Sequence, residues 1–201
     1  MIEKCTERII DWLIRSEAIK ESDQELYEYA LYSVLLTISP IFLAIVIGFL
    51  FGCVWRSVLI ILPFVIIRKF SGGYHASKGE ICFVTSSLLL VLCIVLSFYV
   101  PCGWTLIGIC VGATASLACF SPLDNDNRLL SEKEHICYKR ITIVIAVLFL
   151  ILDLLLYLFH LYTYATCISI GIILSAGLQY PTLFMKFKDR NRKSKTEKNT
   201  I

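Results

Sequence analysis

The sequence has no CxxC pair, no Walker loop and no dinucleotide-binding fingerprint, and it holds only three histidines. The missing phosphate loops remove the P-loop and Rossmann nucleotide enzymes. The missing CxxC pair, with an odd total of nine cysteines at scattered spacing, argues against a secreted disulfide scaffold. Most of the cysteines lie in or beside apolar runs, where Cys behaves as a small hydrophobe. Charge is scarce as well. Only 17% of the 201 residues are charged and 57% are apolar, more than a soluble domain carries. Nor is there an early apolar h-region. The first 29 residues are rich in Glu and Asp, so the first hydrophobic helix is expected to act as its own insertion signal.

What is present is a series of apolar runs that approach the roughly 20 residues needed to cross a bilayer. The expected fold is all-α, a polytopic membrane protein of six transmembrane helices. The spans are expected at residues 30–50, 54–67, 81–100, 104–120, 141–158 and 162–183. Together they form one membrane domain over residues 1–185, followed by a basic, disordered tail over 186–201. The second span is short and contains Pro63. Its fourteen residues cover about 21 Å, less than a hydrocarbon core of about 30 Å.

Residues 1–20 read as an amphipathic helix. Ile2, Cys5, Ile9, Trp12, Leu13 and Ile19 follow helical spacing, with charged residues on the other faces. Such a helix lies in the membrane interface or packs on its own protein. Two capping boxes are expected, one from Ser22 to Glu25 and one from Ser131 to Glu134.

Lys and Arg set the orientation. With six spans, eighteen of the nineteen fall on one side and Arg56 alone on the other. This places both termini in the cytoplasm, together with the 68–80 and 121–140 connections. The basic tail beside the last span suits attraction to anionic lipid better than to nucleic acid.

The stretch Arg68-Lys69-Phe70-Ser71-Gly72-Gly73-Tyr74-His75-Ala76-Ser77-Lys78-Gly79-Glu80-Ile81-Cys82 stands apart. It holds three of the ten glycines and one of the three histidines. A cysteine protease needs a thiolate and an imidazole within hydrogen-bond reach. Seven residues of unbroken helix would separate His75 and Cys82 by about 10.5 Å. The segment therefore has to bend, and Gly79 is placed to permit it. Cys82 then falls in the first turn of the third span, where the helix N-terminus and an imidazolium both favour a thiolate. Cys82 is the candidate nucleophile and His75 the candidate base and acid. Gly72 and Gly73 let backbone N–H groups approach an oxyanion. Arg68 can hold a substrate carboxylate or a lipid phosphate. Glu80, Asp124 and Asp126 each could orient His75, and the sequence does not choose among them.

Arg68, the run Gly72-Gly73-Tyr74-His75-Ala76 and Cys82 seven residues after the histidine resemble the active-site segment of the AgrB family. These are membrane endopeptidases of Gram-positive peptide quorum sensing. The second connection, Ser121-Pro122-Leu123-Asp124-Asn125-Asp126-Asn127-Arg128, resembles the family's Pro-led loop with its Asn-Lys pair. Here Arg128 stands for the Lys, and Leu129 where a second Pro is common. The resemblance implies an AgrD-like precursor peptide with an amphipathic leader, a core and a charged tail. Cys82 would cut after the core, hold it as a thioester, and lose it to a Cys or Ser of the substrate, giving a thiolactone or lactone. The family also allows a homodimer.

Other groupings carry less. His135 and Cys137, with His75 and Cys82, lack a familiar zinc spacing, so neither metal nor cofactor is expected. Asp153 lies inside an apolar span, where an acid is costly, and a Tyr or Ser partner across the bundle is expected. His160 is expected to be solvated at the outer end. A non-enzymatic carrier for a peptide or small solute is the rival reading, but it predicts inverted repeats, and no convincing repeat relates the two halves.

Overall fold

The computed structural model describes residues 2–16, 18–71, 79–122, 131–181 and 184. Among them there are seven α-helices and no strand: α1 (Ile2–Arg15), α2 (Gln24–Leu50), α3 (Val54–Ser71), α4 (Gly79–Tyr99), α5 (Trp104–Phe120), α6 (Glu132–Leu158) and α7 (Tyr162–Gly177). The all-α expectation holds. The basic tail lies outside the described residues.

Helix ends depart from expectation where polar residues extend or stop a helix. α3 runs 18 residues, through Arg68 and Lys69 in its last turn, where cations complement the helix dipole. It is therefore about 27 Å long, not 21 Å. α6 starts at Glu132, well before its apolar run. The expected capping box forms there: Glu134 N–H donates to Ser131 Oγ at 3.4 Å, and Ser131 N–H donates to Glu134 Oε2 at 3.0 Å. The other box does not form. α2 follows a 3-10 turn over Glu21–Asp23, its N-cap is Asp23 without a side-chain bond, and Ser22 Oγ donates to Asp23 at 3.2 Å instead. The extra turn displaces the cap by one residue.

α1 also ends early, at Arg15. It packs on α2 through Thr6 and Ile10, both 1% exposed, with Ile9, Leu13 and Ile14 half-buried beside them. Cys5 and Trp12, read above as part of the apolar stripe, face outward.

Two connections are tight turns with the same hydrogen bonding. After α2, Gly52 N–H donates to Phe49 O at 3.1 Å and Cys53 N–H to Gly48 O at 2.7 Å. Gly52 has φ +65°, as this C-cap motif requires. After α6, His160 N–H donates to Tyr157 O at 3.0 Å and Leu161 N–H to Leu156 O at 2.9 Å. His160 occupies the left-handed position with φ 61°. Its Nδ1 lies 2.6 Å from the Tyr162 hydroxyl. The exposed His160 therefore ends a helix as well as meeting solvent.

α7 is the axis of the bundle. Ala165 to Ile172 are buried without interruption, as in a helix surrounded on all sides. Cys167 and Ile170 join Ala44, Ile47, Ile60, Ile61, Leu90, Cys93 and Ile94 from α2, α3 and α4. On the other side Ile168, Ile172 and Ala176 meet Ile67, Leu117 and Ala146 from α3, α5 and α6. α6 faces outward, with Val144, Leu148, Ile151 and Leu155 exposed. α6 and residues 162–181 are long and apolar enough to cross a membrane. The apolar stretches Ile38–Leu50, Thr85–Tyr99 and Trp104–Phe120 are shorter.

α3 and α7 approach each other closely. A Cβ on Gly171 would press on Pro63 Cγ and lie 2.5 Å from the Ile60 carbonyl oxygen. Gly171→Ala should therefore force the two helices apart and destabilise the fold by about 1–3 kcal/mol. Gly108 has nothing within 4 Å of such a Cβ. Gly108→Ala should be neutral or stabilising by up to about 1 kcal/mol through helix propensity. Thermal unfolding in detergent reads both, and equal melting temperatures would contradict the crossing.

Candidate active site

Chain direction gathers the candidate residues at one end of the bundle. At the far end Arg56, in the first turn of α3, donates to the Ser97 carbonyl of α4 at 2.9 Å. Its guanidinium lies 4.2 Å from the Phe98 ring centroid. Trp104, Tyr157 and Tyr162 stack edge to face there, with centroids 5.2 and 5.6 Å apart. At the near end Phe70 of α3 meets Tyr138 of α6 at 6.1 Å, and Ser116 of α5 meets Tyr180 at 3.1 Å between oxygens. The ends of α3, α5 and residues 162–181 and the starts of α4 and α6 therefore share this end.

Arg68 is half-buried in the last turn of α3, its guanidinium 5.6 Å from the Phe64 centroid. The ring takes the cation's flank and shields part of it from water. Gly72, Gly73, His75, Asp124 and Asp126 lie outside the described residues. Glu80 and Cys82 are in α4, and their backbone alone is described. α4 is described from Gly79 onward, which puts the backbone of Cys82 at this end of the bundle. Among the described residues no group of three His, Cys, Asp or Glu side chains is arranged to hold a metal.

Of two polar centres, the first was not revealed by the sequence and the second was expected from it. Gln179, 1% exposed, donates through Nε2 to Ser121 Oγ at 2.6 Å. The available signal was a carboxamide near the end of an apolar span. The second centre surrounds Asp153, also 1% exposed. Ser169 Oγ donates to its Oδ2 at 2.9 Å, so the expected Ser partner across the bundle is found. Cys110 Sγ in turn donates to the Ser169 carbonyl at 3.6 Å. In the α4–α5 connection, burial raises the Cys102 thiol above its ordinary pKa, and a hydrogen bond with Thr166 opposes the rise. Asp153 lies toward the far end and contacts none of the candidate catalytic residues that are described.

An apolar helical bundle with a long outward-facing apolar helix points to an all-helical membrane protein. The chain matches Accessory gene regulator B over residues 6–183 and belongs to the AgrB family. It is 25% identical over 197 residues to an AgrB-like protein of Clostridium perfringens SM101, covering 91% of each chain. A second AgrB-like protein, of Clostridium perfringens strain 13, is 23% identical over 196 residues, again with 91% of each covered. One of Listeria monocytogenes serotype 4a is 28% identical over 134 residues, 65% of each chain. The names of these relatives are themselves provisional. No solved structure matches the chain.

Removing the Ser169 hydroxyl would leave both Asp153 oxygens buried and unmet. Ser169→Ala should cost about 1–3 kcal/mol of stability. The double variant Ser169→Ala with Asp153→Leu should recover part of that loss, since no buried carboxyl remains. Unfolding of single and double variants in detergent gives the coupling, and additive effects would sink the assignment.

Proposed function

We propose that this protein is a cysteine endopeptidase that removes the C-terminal tail of an AgrD-like precursor peptide at the cytoplasmic face of the cell membrane. The AgrB family membership carries the reading, because the His75–Cys82 motif lies inside the matched region. Chain direction supports it, since the backbone of Cys82 in α4 and Arg68 in α3 belong to the same end of the bundle. In this reading α2 to α7 are six spans in one membrane domain, α1 lies at the interface, and both termini are cytoplasmic. The distribution of Lys and Arg supports that orientation.

His75 takes the Cys82 thiol proton. The thiolate attacks the carbonyl carbon after the peptide core. Backbone N–H groups at Gly72 and Gly73 hold the oxyanion. As the C–N bond breaks, His75 returns the proton to the leaving amine and the tail departs. The core is then a thioester on Cys82. A substrate Cys thiol or Ser hydroxyl attacks that carbonyl and transfers its proton through His75 to the departing Cys82 sulfur. The ring closes and the free thiol is restored. Exchange of one thioester for another needs positioning more than driving force. Water must stay out, and helices around the site serve that end. Arg68 would hold a substrate carboxylate, one of Glu80, Asp124 or Asp126 would orient His75, and anionic lipid would attract the basic tail. A homodimer is compatible with this chemistry.

Co-expression with the precursor, followed by mass spectrometry of the released tail, tests the assignment. Cys82→Ala and His75→Ala should each lower tail release by on the order of 10³-fold or more. A carrier would keep its function in Cys82→Ser. Tail release by either alanine variant would end the protease reading.

A further inference from the structure

Arg56 is half-buried at the far end, and among the described residues its charge meets no carboxylate. Nη1 donates to the Ser97 carbonyl at 2.9 Å, and the guanidinium lies 4.2 Å from the Phe98 centroid. Both partners are neutral. The Asp153 carboxyl bonds Ser169 instead. A guanidinium carries N–H groups in a planar fork, and those not used by Ser97 can take a further acceptor. The carbonyl and the ring already hold the fork, so little freedom is lost when an anion binds it.

The residues beside this contact are large aromatics that face outward. Trp55, next to Arg56, is 78% exposed, and Tyr99, next to Phe98, is 80% exposed. Trp and Tyr set outward on a membrane protein mark the level of the lipid headgroups. α3 leaves this end and α4 arrives at it, so the two helices run antiparallel. Leu62 is seven residues from Trp55 and Leu92 is seven from Tyr99, in each case two turns and about 10.5 Å deeper in the bundle. Both leucines are exposed. A held cation therefore joins two helices at the level of the aromatics, with outward apolar side chains of the same two helices below it.

We propose that Arg56 is the headgroup site of an anionic phospholipid: its remaining N–H groups donate to the lipid phosphate, and the acyl chains cover the apolar faces of α3 and α4. This rests on the helices crossing the membrane and is independent of the endopeptidase chemistry. Two phosphate oxygens match the guanidinium fork. A soluble anion would gain nothing from Leu62 and Leu92. A zwitterionic lipid would bring a second cation to a place where Arg56 already covers the face of Phe98. The site is separate from any lipid drawn to the Arg68 end, because it lies at the opposite end of the bundle.

The test uses the full chain in bilayers, with tryptophan fluorescence quenched by lipids that carry bromine on their acyl chains. The chain has three tryptophans. Trp12→Phe with Trp104→Phe leaves Trp55 beside the site. Trp12→Phe with Trp55→Phe leaves Trp104, which is at the same end but stacks on Tyr157 of α6. Brominated phosphatidylglycerol should compete for contact with Trp55 about 5-fold better than brominated phosphatidylcholine, and Trp104 should show little preference. Arg56→Gln should bring Trp55 down to the level of Trp104. A preference at Trp55 that survives Arg56→Gln would overturn the proposal. If the Gln variant does not fold, the comparison of Trp55 with Trp104 in the chain that keeps Arg56 decides, and equal preferences overturn it. Excess soluble glycerol phosphate should leave the preference at Trp55 in place; its loss would assign Arg56 to a free anion and not to a lipid. Failure of the endopeptidase reading is separable, because that appears as tail release by Cys82→Ala.

Discussion

The contact of Gly171 with Pro63 and the Ile60 carbonyl sets the geometry of the bundle. α7 is buried on every side, and a helix surrounded by other helices in an apolar setting gains little from hydrophobic transfer. Close backbone approach supplies the attraction instead, through many weak dispersion contacts. Ala165, Ser169, Gly171, Ser175 and Ala176 keep α7 slim enough for α3, α5 and α6 to reach it. Pro63 fits the same logic. Its ring adds bulk toward Gly171, and a proline inside an apolar helix is tolerated when neighbours pack against the site. α3 then carries Arg68 to Ser71 outward from this fixed point.

Polar side chains within the bundle divide by how they meet their hydrogen-bonding needs. Thr142, Thr166 and Ser175 each donate to the carbonyl four residues earlier in the same helix. Such bonds cost nothing in tertiary structure and are local. Arg56, Ser169 and Gln179 instead bond across helices. Each therefore fixes the register of one helix against another. Arg56 alone breaks the charge asymmetry of the sequence, and its bond to the last turn of α4 with the Phe98 ring beside it explains how one cation is held at the far end. A cation near the carbonyl end of a helix is favourable there.

How much of this was legible follows from range along the chain. The Ser131–Glu134 box is four residues long, and it formed as read. So did the helix ends before Pro101 and at Ser121-Pro122. The Ser22–Glu25 box has the same pattern but lost to a 3-10 turn, so pattern alone does not fix which residue caps. Asp153 could be called costly from its setting, with a Tyr or Ser partner, but Ser169 lies sixteen residues away on another helix. Gly171 looked like any glycine in a span. Its role depends on which helix crosses it, and periodicity does not encode crossings. The proposed His75–Cys82 pairing is read from a motif, and no local rule of periodicity or capping encodes such a pair.

Chain direction has chemical as well as structural weight. α3, α5 and residues 162–181 end where α4 and α6 begin, so the backbone of Cys82 and the half-buried Arg68 belong to one end of the bundle. An unbroken helix would hold His75 and Cys82 about 10.5 Å apart along its axis. The proposed reaction needs thiolate and imidazole within hydrogen-bond reach. A bend between the two, more than the helix that carries Cys82, would therefore govern reactivity.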